Sequence, residues 1–237
     1  MTAVRIDPSV TDLFPDLVVG IVVARGVDNR DDGPPAAAAR QMLAEAVAAA
    51  ADELDLATIT ERPDVAPWRA AYRAFGVTPN DHRPSYEALL RSAGKGRLGS
   101  VGPLVDGYNA RSLRHRLPFG GEDLAALRGD LVLTRAAGGE PFVALGRAEN
   151  DPAKPGEVLY RDDVGPVCRC LNWRETERTM LTPATTDAVL VVEGLGPDAA
   201  ARVAAAAEDL AAFVRDHLGG TARVLLLDRA SPSADLG

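Results

Sequence analysis

Cysteine and histidine are scarce in this sequence of 237 residues. The two cysteines, Cys168 and Cys170, are too few for the disulfide framework of a small secreted domain. Strand alternation predicts that they face the same side, either as two buried thiols or as a redox pair or half a metal site. His82 fits a turn and His217 the end of a helix, and His115 can either contact a phosphate or be merely exposed. Neither a three-histidine metal site nor a histidine-dependent triad is therefore expected. We predict no metal and no other cofactor.

Long apolar runs and targeting signals are also missing. No apolar run reaches the roughly 18 residues that a membrane helix needs, and no basic segment followed by an apolar one opens the chain. HExxH, GxSxG and nucleotide-loop motifs are absent. We therefore expect a soluble, cytoplasmic protein without the commonest hydrolase or nucleotide-binding signatures.

The formal net charge of −8 argues against a protein that coats nucleic acid without specificity. Between Arg69 and Arg116, however, nine Lys and Arg residues stand against three acids. This stretch predicts either a basic face for phosphates or solvated helix faces whose counter-acids lie elsewhere in the sequence.

Strand and helix patterns alternate irregularly along the chain. Residues 17–27 form an uninterrupted β-branched run, typical of a strand buried on both faces. Helices are expected after Pro35, over three short segments between Ala66 and Arg116, and after Pro197. The strands expected after Pro118 are GDLVLTRA, EPFVALGR, GEVLYRD, GPVCRCLNW, TDAVLVVEG and a buried TARVLLLD. The pattern predicts one α+β domain over residues 1–237, with a mixed, largely antiparallel sheet, flanking helices, a core over about 15–227 and a frayed tail over 228–237.

Two local signals precede helices in the basic stretch. Ser85 fits an N-cap, and Gly96, Gly99 and Gly102 precede a helix that begins with a proline. A glycine-rich turn at a helix start can hold a phosphate on its N–H groups, but an ordinary turn explains the same residues.

Several polar residues stand at the junctions of strands and turns. Trp173 beside Arg174 can stack on a nucleotide end, or Trp173 can be a core aromatic flanked by surface charge. Glu193 ends an apolar strand, where ligand pockets commonly open, although a structural pairing is equally consistent. Asn172 and Thr185 lie in the same region, and we include both among the candidate substrate-binding residues.

Four segments in matching order resemble the B3/B4 domain, the editing module of the phenylalanyl-tRNA synthetase β subunit, which also occurs as free-standing proteins. They are WRAAYRAFGVTPNDHRPSYEALLRSAGKG, LVDGYNARSLRHRLPFGGEDL, GDLVLTRAAGGEPFVALG and CRCLNWRETERTMLTPATTDAVLVVEG. The resemblance spans about residues 15–227, is strongest to the free-standing branch, and implies the fold of that domain. The aminoacylation core of a synthetase is absent.

The resemblance also implies roles for individual residues. Glu193 matches the glutamate that recognises a tyrosine hydroxyl, and Tyr108, Asn109 and Pro118 match a pocket wall. Two positions depart from the family pattern: Gly120 stands where synthetases usually have a histidine, and Tyr108 replaces a small hydroxyl residue. These departures alter the polarity and volume of the pocket.

The implied function is that of a tRNA-binding deacylase acting in trans on mischarged aminoacyl-tRNA, by resemblance Tyr-tRNA(Phe). Hydrolysis of an activated ester requires only a positioned water, here expected near Asn109, and no protein nucleophile. The arginines expected to contact RNA are Arg111, Arg114, Arg116 and Arg174. Neither membrane nor DNA is an expected partner. Two alternatives stay open: a non-catalytic module that binds tRNA, an amino acid or a partner protein, and an enzyme for another small ester or amide.

Overall fold

The computed structural model describes residues 2–237, and ten strands and six helices lie within that range. The strands are β1 (Ala3–Ile6), β2 (Val18–Arg25), β3 (Phe119–Asp123), β4 (Leu131–Arg135), β5 (Val158–Arg161), β6 (Pro166–Arg169), β7 (Arg174–Glu175), β8 (Ala188–Gly194), β9 (Thr221–Leu227) and β10 (Ser233–Asp235). The helices are α1 (Pro8–Leu13), α2 (Gly33–Asp52), α3 (Ala66–Ala74), α4 (Ser85–Gly94), α5 (Pro103–His115) and α6 (Ala199–His217).

The strands form two sheets. One has the order β3-β8-β2-β9 and is antiparallel throughout. The other has the order β10-β1-β4-β5-β6-β7, and its one parallel pairing joins β1 to β4. The α+β class and the largely antiparallel pairing predicted from sequence are confirmed, although the strands divide between two sheets.

The four-stranded sheet is covered on both faces, as the apolar runs of β2 and β8 predict. One face packs on α6, with Gly20 and Gly194 at the contact. A β-carbon at either glycine would lie 2.7 or 2.6 Å from a methyl group of Val203, so these glycines let helix and sheet approach closely. The other face packs against the six-stranded sheet, with Ile21 and Val191 joining Leu133 in a shared core.

The predicted short helices are confirmed as α3, α4 and α5. Trp68, Ala71, Tyr72 and Phe75 form the expected buried stripe of α3. Ser85 is not the N-cap of α4, because the helix already includes it and Pro84 precedes it without a side-chain cap.

Some strand predictions were wrong. EPFVALGR contributes only an isolated bridge at Ala144, and β9 is an edge strand that leaves Leu226 exposed. The sequence predicted a frayed tail over 228–237, but β10 lies within it and pairs with β1. The cysteines do not share one strand face, since β6 ends at Arg169 and Cys170 has a left-handed φ of 49°. Both cysteines are free.

The glycine-rich turn before α5 is closed by an acidic side chain. The Asp106 carboxylate accepts hydrogen bonds from the backbone N–H of Val101 at 2.8 Å and from the Ser100 hydroxyl at 2.5 Å. Because Asp106 is buried and already occupies the start of the helix, the turn supports the structural interpretation over a phosphate site.

Candidate functional site

A cavity of about 210 Å³ lies between the two sheets. Strands β3 and β8 supply one wall, and β4, β5, β6 and β7 supply the opposite wall. Helix α5 and residues 171–173 close its sides. The site is therefore built from segments that are far apart in the sequence.

Strand register aims polar side chains into this cavity from the four-stranded sheet. Gly194 faces α6, so the preceding Glu193 points to the other side, towards the six-stranded sheet. Gly120 pairs with Val191, and Glu122 lies two residues further along β3 on the same face. Glu122, Val191 and Glu193 all line the cavity.

The six-stranded sheet also presents a row of side chains to the cavity. Tyr160 pairs with Cys168, and Cys168 pairs with Glu175, so the three side chains stand side by side across β5, β6 and β7. All three line the cavity. Burial raises the pKa of the Cys168 thiol well above its usual range, and the carboxylates of Glu175, Glu122 and Glu193 raise it further. Cys168 is consequently a neutral thiol here and a poor nucleophile.

Glu193 is 2% exposed and has a protein partner on each carboxylate oxygen. The Tyr160 hydroxyl donates to Oε1 at 2.7 Å, and Nδ2 of Asn172 donates to Oε2 at 2.6 Å. Asn172 is oriented in turn by the Tyr72 hydroxyl, which donates to its Oδ1 at 2.9 Å. Burial raises the pKa of Glu193 to about 7, although the hydrogen bonds from Asn172 and Tyr160 lower it. Tyr160 thus already presents a phenol to the carboxylate that the resemblance assigns to a substrate phenol.

Two further carboxyl groups, Glu122 and Glu175, lie in the same cavity. Burial, and then the charge of Glu175, raises the pKa of Glu122 well above its usual range. Burial raises the pKa of Glu175 to about 7, and the backbone N–H of Gly121 lowers it by donating at 3.2 Å. Near neutral pH the pair therefore holds on to a proton that isolated carboxylates would have lost.

Gly120, where the family pattern has a histidine, leaves the space that Glu175 uses. A β-carbon at position 120 would lie 3.0 Å from Oε1 of Glu175. A carboxylate therefore lies beside the position at which the resemblance leads us to expect a histidine.

Helix α5 contributes Tyr108 and Asn109 to the cavity. Burial raises the pKa of Tyr108 well above its usual range, and Glu175 and Glu122 raise it further, so its hydroxyl stays protonated. Asn109 also borders a second depression of about 200 Å³, which shares Ser85, Phe119 and Trp173 with the cavity. The two depressions are therefore adjacent.

The structure brings five of the seven predicted substrate-binding residues to the cavity: Glu193, Asn109, Tyr108, Gly120 and Asn172. Pro118 and Thr185 do not line it. The Pro118 carbonyl accepts the backbone N–H of Glu193 at 3.2 Å, and the Thr185 hydroxyl donates to Asp123 at 2.6 Å. Both stabilise strands that carry the cavity residues.

The four predicted RNA-contacting arginines are dispersed. Arg174 is exposed and lines the cavity, and it donates to the Leu145 carbonyl at 3.0 Å. Arg111 is only 5% exposed, pairs with Asp209 at 3.2 Å and stacks on Phe213, so this residue is not available to RNA. Arg114 pairs with Asp209 and Arg116 with Glu53, and both remain about half exposed.

Most basic residues of this stretch lie in ion pairs, although the six paired arginines outnumber the acids they share, so a net positive charge remains. Six of its nine basic residues form ion pairs with acids: Arg69, Arg83 and Arg91 with Glu87, Arg111 and Arg114 with Asp209, and Arg116 with Glu53. This favours the interpretation of helix faces with counter-acids over a continuous phosphate-binding face.

Sequence reasoning missed Tyr160, Glu122 and Glu175. Each stands on a strand of at most 5 residues, and their meeting depends on how the two sheets stack. The available signal was weak: Glu122 follows paired glycines, and Glu175 alternates with the half-buried Trp173.

Fold and site together define an α+β domain with an acidic cavity between two sheets. The family model for the B3/4 domain matches residues 67–215, so the chain belongs to the B3/4 domain family and the resemblance seen in the sequence is confirmed. A search of curated proteins finds no match.

Among solved structures, the chain is similar to an N-terminal fragment of the phenylalanyl-tRNA synthetase β-subunit from Pyrococcus horikoshii. The two are 14% identical with a TM-score of 0.47, and the match covers 93% of this chain and 50% of that one. The chain thus spans about half the length of that fragment. Among residues 2–237, no helix is both long and apolar enough to cross a membrane.

Proposed function

We propose that this protein is a cytoplasmic, trans-acting aminoacyl-tRNA deacylase that takes the aminoacyl end of a mischarged tRNA into the cavity between its sheets. The observation that carries the proposal is the convergence of Glu193, Asn109, Tyr108, Gly120 and Asn172 on one cavity. These residues come from separate segments of the chain, and the sequence alone predicts each of them as substrate-binding.

The shape of the site supports this substrate class. The cavity can accept an amino-acid side chain, and the adjoining depression bordered by Phe119 and Trp173 offers an aromatic wall for a terminal base. The exposure of Arg174 beside the cavity supports a contact of its guanidinium with a phosphate. Since most other nearby arginines are paired, few phosphates can be contacted, so we expect modest affinity for RNA and a shallow salt dependence.

The proposed chemistry is attack of water on the ester carbonyl. The Asn109 side chain and the terminal ribose hydroxyl orient that water, and the ribose oxygen leaves with a proton. No covalent enzyme intermediate is required, in keeping with the neutral Cys168. Tyrosine is a poor candidate for the side chain, because Tyr160 already satisfies the carboxylate that would recognise its hydroxyl.

The test is deacylation of a panel of mischarged tRNAs, including Tyr-tRNA(Phe), by the full chain. We expect hydrolysis above the no-protein rate on at least one of them, and a loss on the order of tenfold or more for Asn109→Ala. Glu177→Gln, at an exposed position outside the cavity, is the matched control. Rates equal to the no-protein control across the whole panel would refute the proposal.

A second candidate is a non-catalytic module that binds an amino acid, tRNA or a partner protein. Gly120 in place of the family histidine and the internal pairing of Glu193 favour it, because both change the residues that the resemblance assigns to substrate recognition. Ligand binding without turnover on the same panel would establish this alternative.

A further inference from the structure

Glu122 has a buried carboxylate oxygen with no hydrogen-bond partner within residues 2–237. The residue is only 4% exposed, and it lines the cavity. The Thr179 hydroxyl lies close enough to Glu122 to lower the pKa of that carboxyl group, but it too has no partner within hydrogen-bonding geometry. A second buried oxygen without a partner, Oγ of Ser85, belongs to another residue of the cavity lining. Since leaving a buried polar atom unpaired is unfavourable, these atoms point to a polar ligand.

The charges around Glu122 indicate the kind of ligand. Glu175 and Glu193 add two more carboxyl groups to the lining. Arg178 is the arginine whose charge lowers the pKa of Glu122. Its guanidinium already donates to both carboxylate oxygens of Asp162 at 2.8 Å. The cavity thus contains an excess of acceptors, and a compact cationic donor would complement it.

We propose that Glu122 and Glu175 bind the primary ammonium group of the ligand that occupies this cavity. The binding claim rests on the cavity alone; identifying the group as the α-ammonium of an aminoacyl ester rests in addition on the proposed function. An ammonium group donates up to three hydrogen bonds, which suits the oxygens of two interacting carboxylates.

Binding of an ammonium group should change the number of protons that Glu122 and Glu175 hold, and this change can be measured. Burial raises the pKa of Glu175 to about 7 and raises the pKa of Glu122 well above its usual range. An ammonium ion, however, binds best when both carboxyl groups are ionised. The affinity for an alkylamine, which stays protonated, should therefore increase as the pH rises through about 7, with release of protons on binding below that pH. An amino-acid amide should bind best near about pH 7, because its own α-ammonium group, with an ordinary pKa of about 8, loses its proton at higher pH. The titratable and charged groups facing the pair are Tyr108, Asp162, Cys168, Arg174, Arg178 and Glu193.

Calorimetric titration of the full chain with a panel of amino-acid amides tests the proposal without RNA or hydrolysis. The same amides carrying an N-acetyl group are the matched ligands, and simple alkylamines show whether the ammonium alone suffices. We expect at least one amide to bind and its N-acetyl form to bind at least about tenfold more weakly. Glu122→Gln and Glu175→Gln should each weaken the amide about tenfold or more, and Glu177→Gln should not.

Two outcomes would overturn the inference. One is that no amide binds to the wild-type chain; the other is that N-acetylation, or both carboxyl variants, leaves the affinity unchanged. Thermal unfolding of each variant separates a folding defect from a binding defect, and the N-acetyl comparison uses only the wild-type chain. Ammonium binding without deacylation of any tRNA would refute the proposed hydrolase and retain this inference.

Discussion

Replacing Glu193 with glutamine should remove a pH-dependent penalty from the stability of the fold. An unfolded-chain glutamate loses its proton near 4.5, but burial delays that loss in the folded protein until about 7. Between these values the folded state holds more protons than the unfolded state, so stability falls as the pH rises. The penalty is absent below about pH 4, grows through the interval and is complete above about pH 8.

Its size follows from the shift in pKa. Each unit corresponds to about 1.4 kcal/mol, so a rise from 4.5 to about 7 amounts to roughly 3 kcal/mol. Glutamine is close in shape and can keep both contacts, with its oxygen accepting from Asn172 and its amide donating to the Tyr160 oxygen. We therefore expect the wild-type free energy of unfolding to fall by about 3 kcal/mol more than that of Glu193→Gln between about pH 4 and about pH 8.

Urea denaturation of both chains across this pH range provides the measurement. Glu122 and Glu175 also lower stability at high pH, but they are present in both proteins, so their contributions cancel in the difference. Glu177→Gln should run parallel to the wild type, because that side chain is exposed. A wild-type and Glu193→Gln difference that is constant with pH would show that water reaches this carboxylate freely, and our account of the cavity would be wrong.

Two further substitutions test neighbouring contacts. Tyr160→Phe removes the hydroxyl that donates to Oε1 of Glu193, so we expect the pKa of Glu193 to rise further. The free energy of unfolding should fall by about 1–3 kcal/mol, and by more at about pH 8 than at about pH 4. Equal losses at the two pH values would contradict this. Arg169→Met leaves the buried Glu157 without the guanidinium that contacts it at 2.7 and 2.8 Å, so urea titration should find a loss of about 3–5 kcal/mol. Its double variant with Glu157→Gln should recover part of that loss, and an additive double variant would argue against the pairing.

The local architecture was accessible from sequence because it depends on neighbours in the chain. The β-branched runs of β2 and β8 have to be buried on both faces, and the apolar stripe of α3 repeats at helical spacing. Strands whose own residues have little strand preference were not predicted, for the same reason. Strand β3 reads FGGED, and its two glycines have no strand preference; it forms because β8 offers a ladder beside it.

The residues of the site likewise divide into those that the sequence indicated and those that it did not. Glu193 was detectable because a carboxylate at the end of an apolar strand is conspicuous, and Tyr108 and Asn109 because they break the pattern of a surface helix. The burial and pairing of Arg111 could not be predicted, because its partner Asp209 lies about a hundred residues further along the chain.

The sequence by itself determined the class of fold, most of the helices and strands, and the family, because periodicity and ordered motifs are properties of the chain. Only the tertiary structure decided that Tyr160 faces Glu193 and that Glu175 fills the space beside Gly120. Those meetings depend on how two separate sheets are stacked and registered. The environment that raises the carboxyl pKa values exists only once that stacking has excluded water.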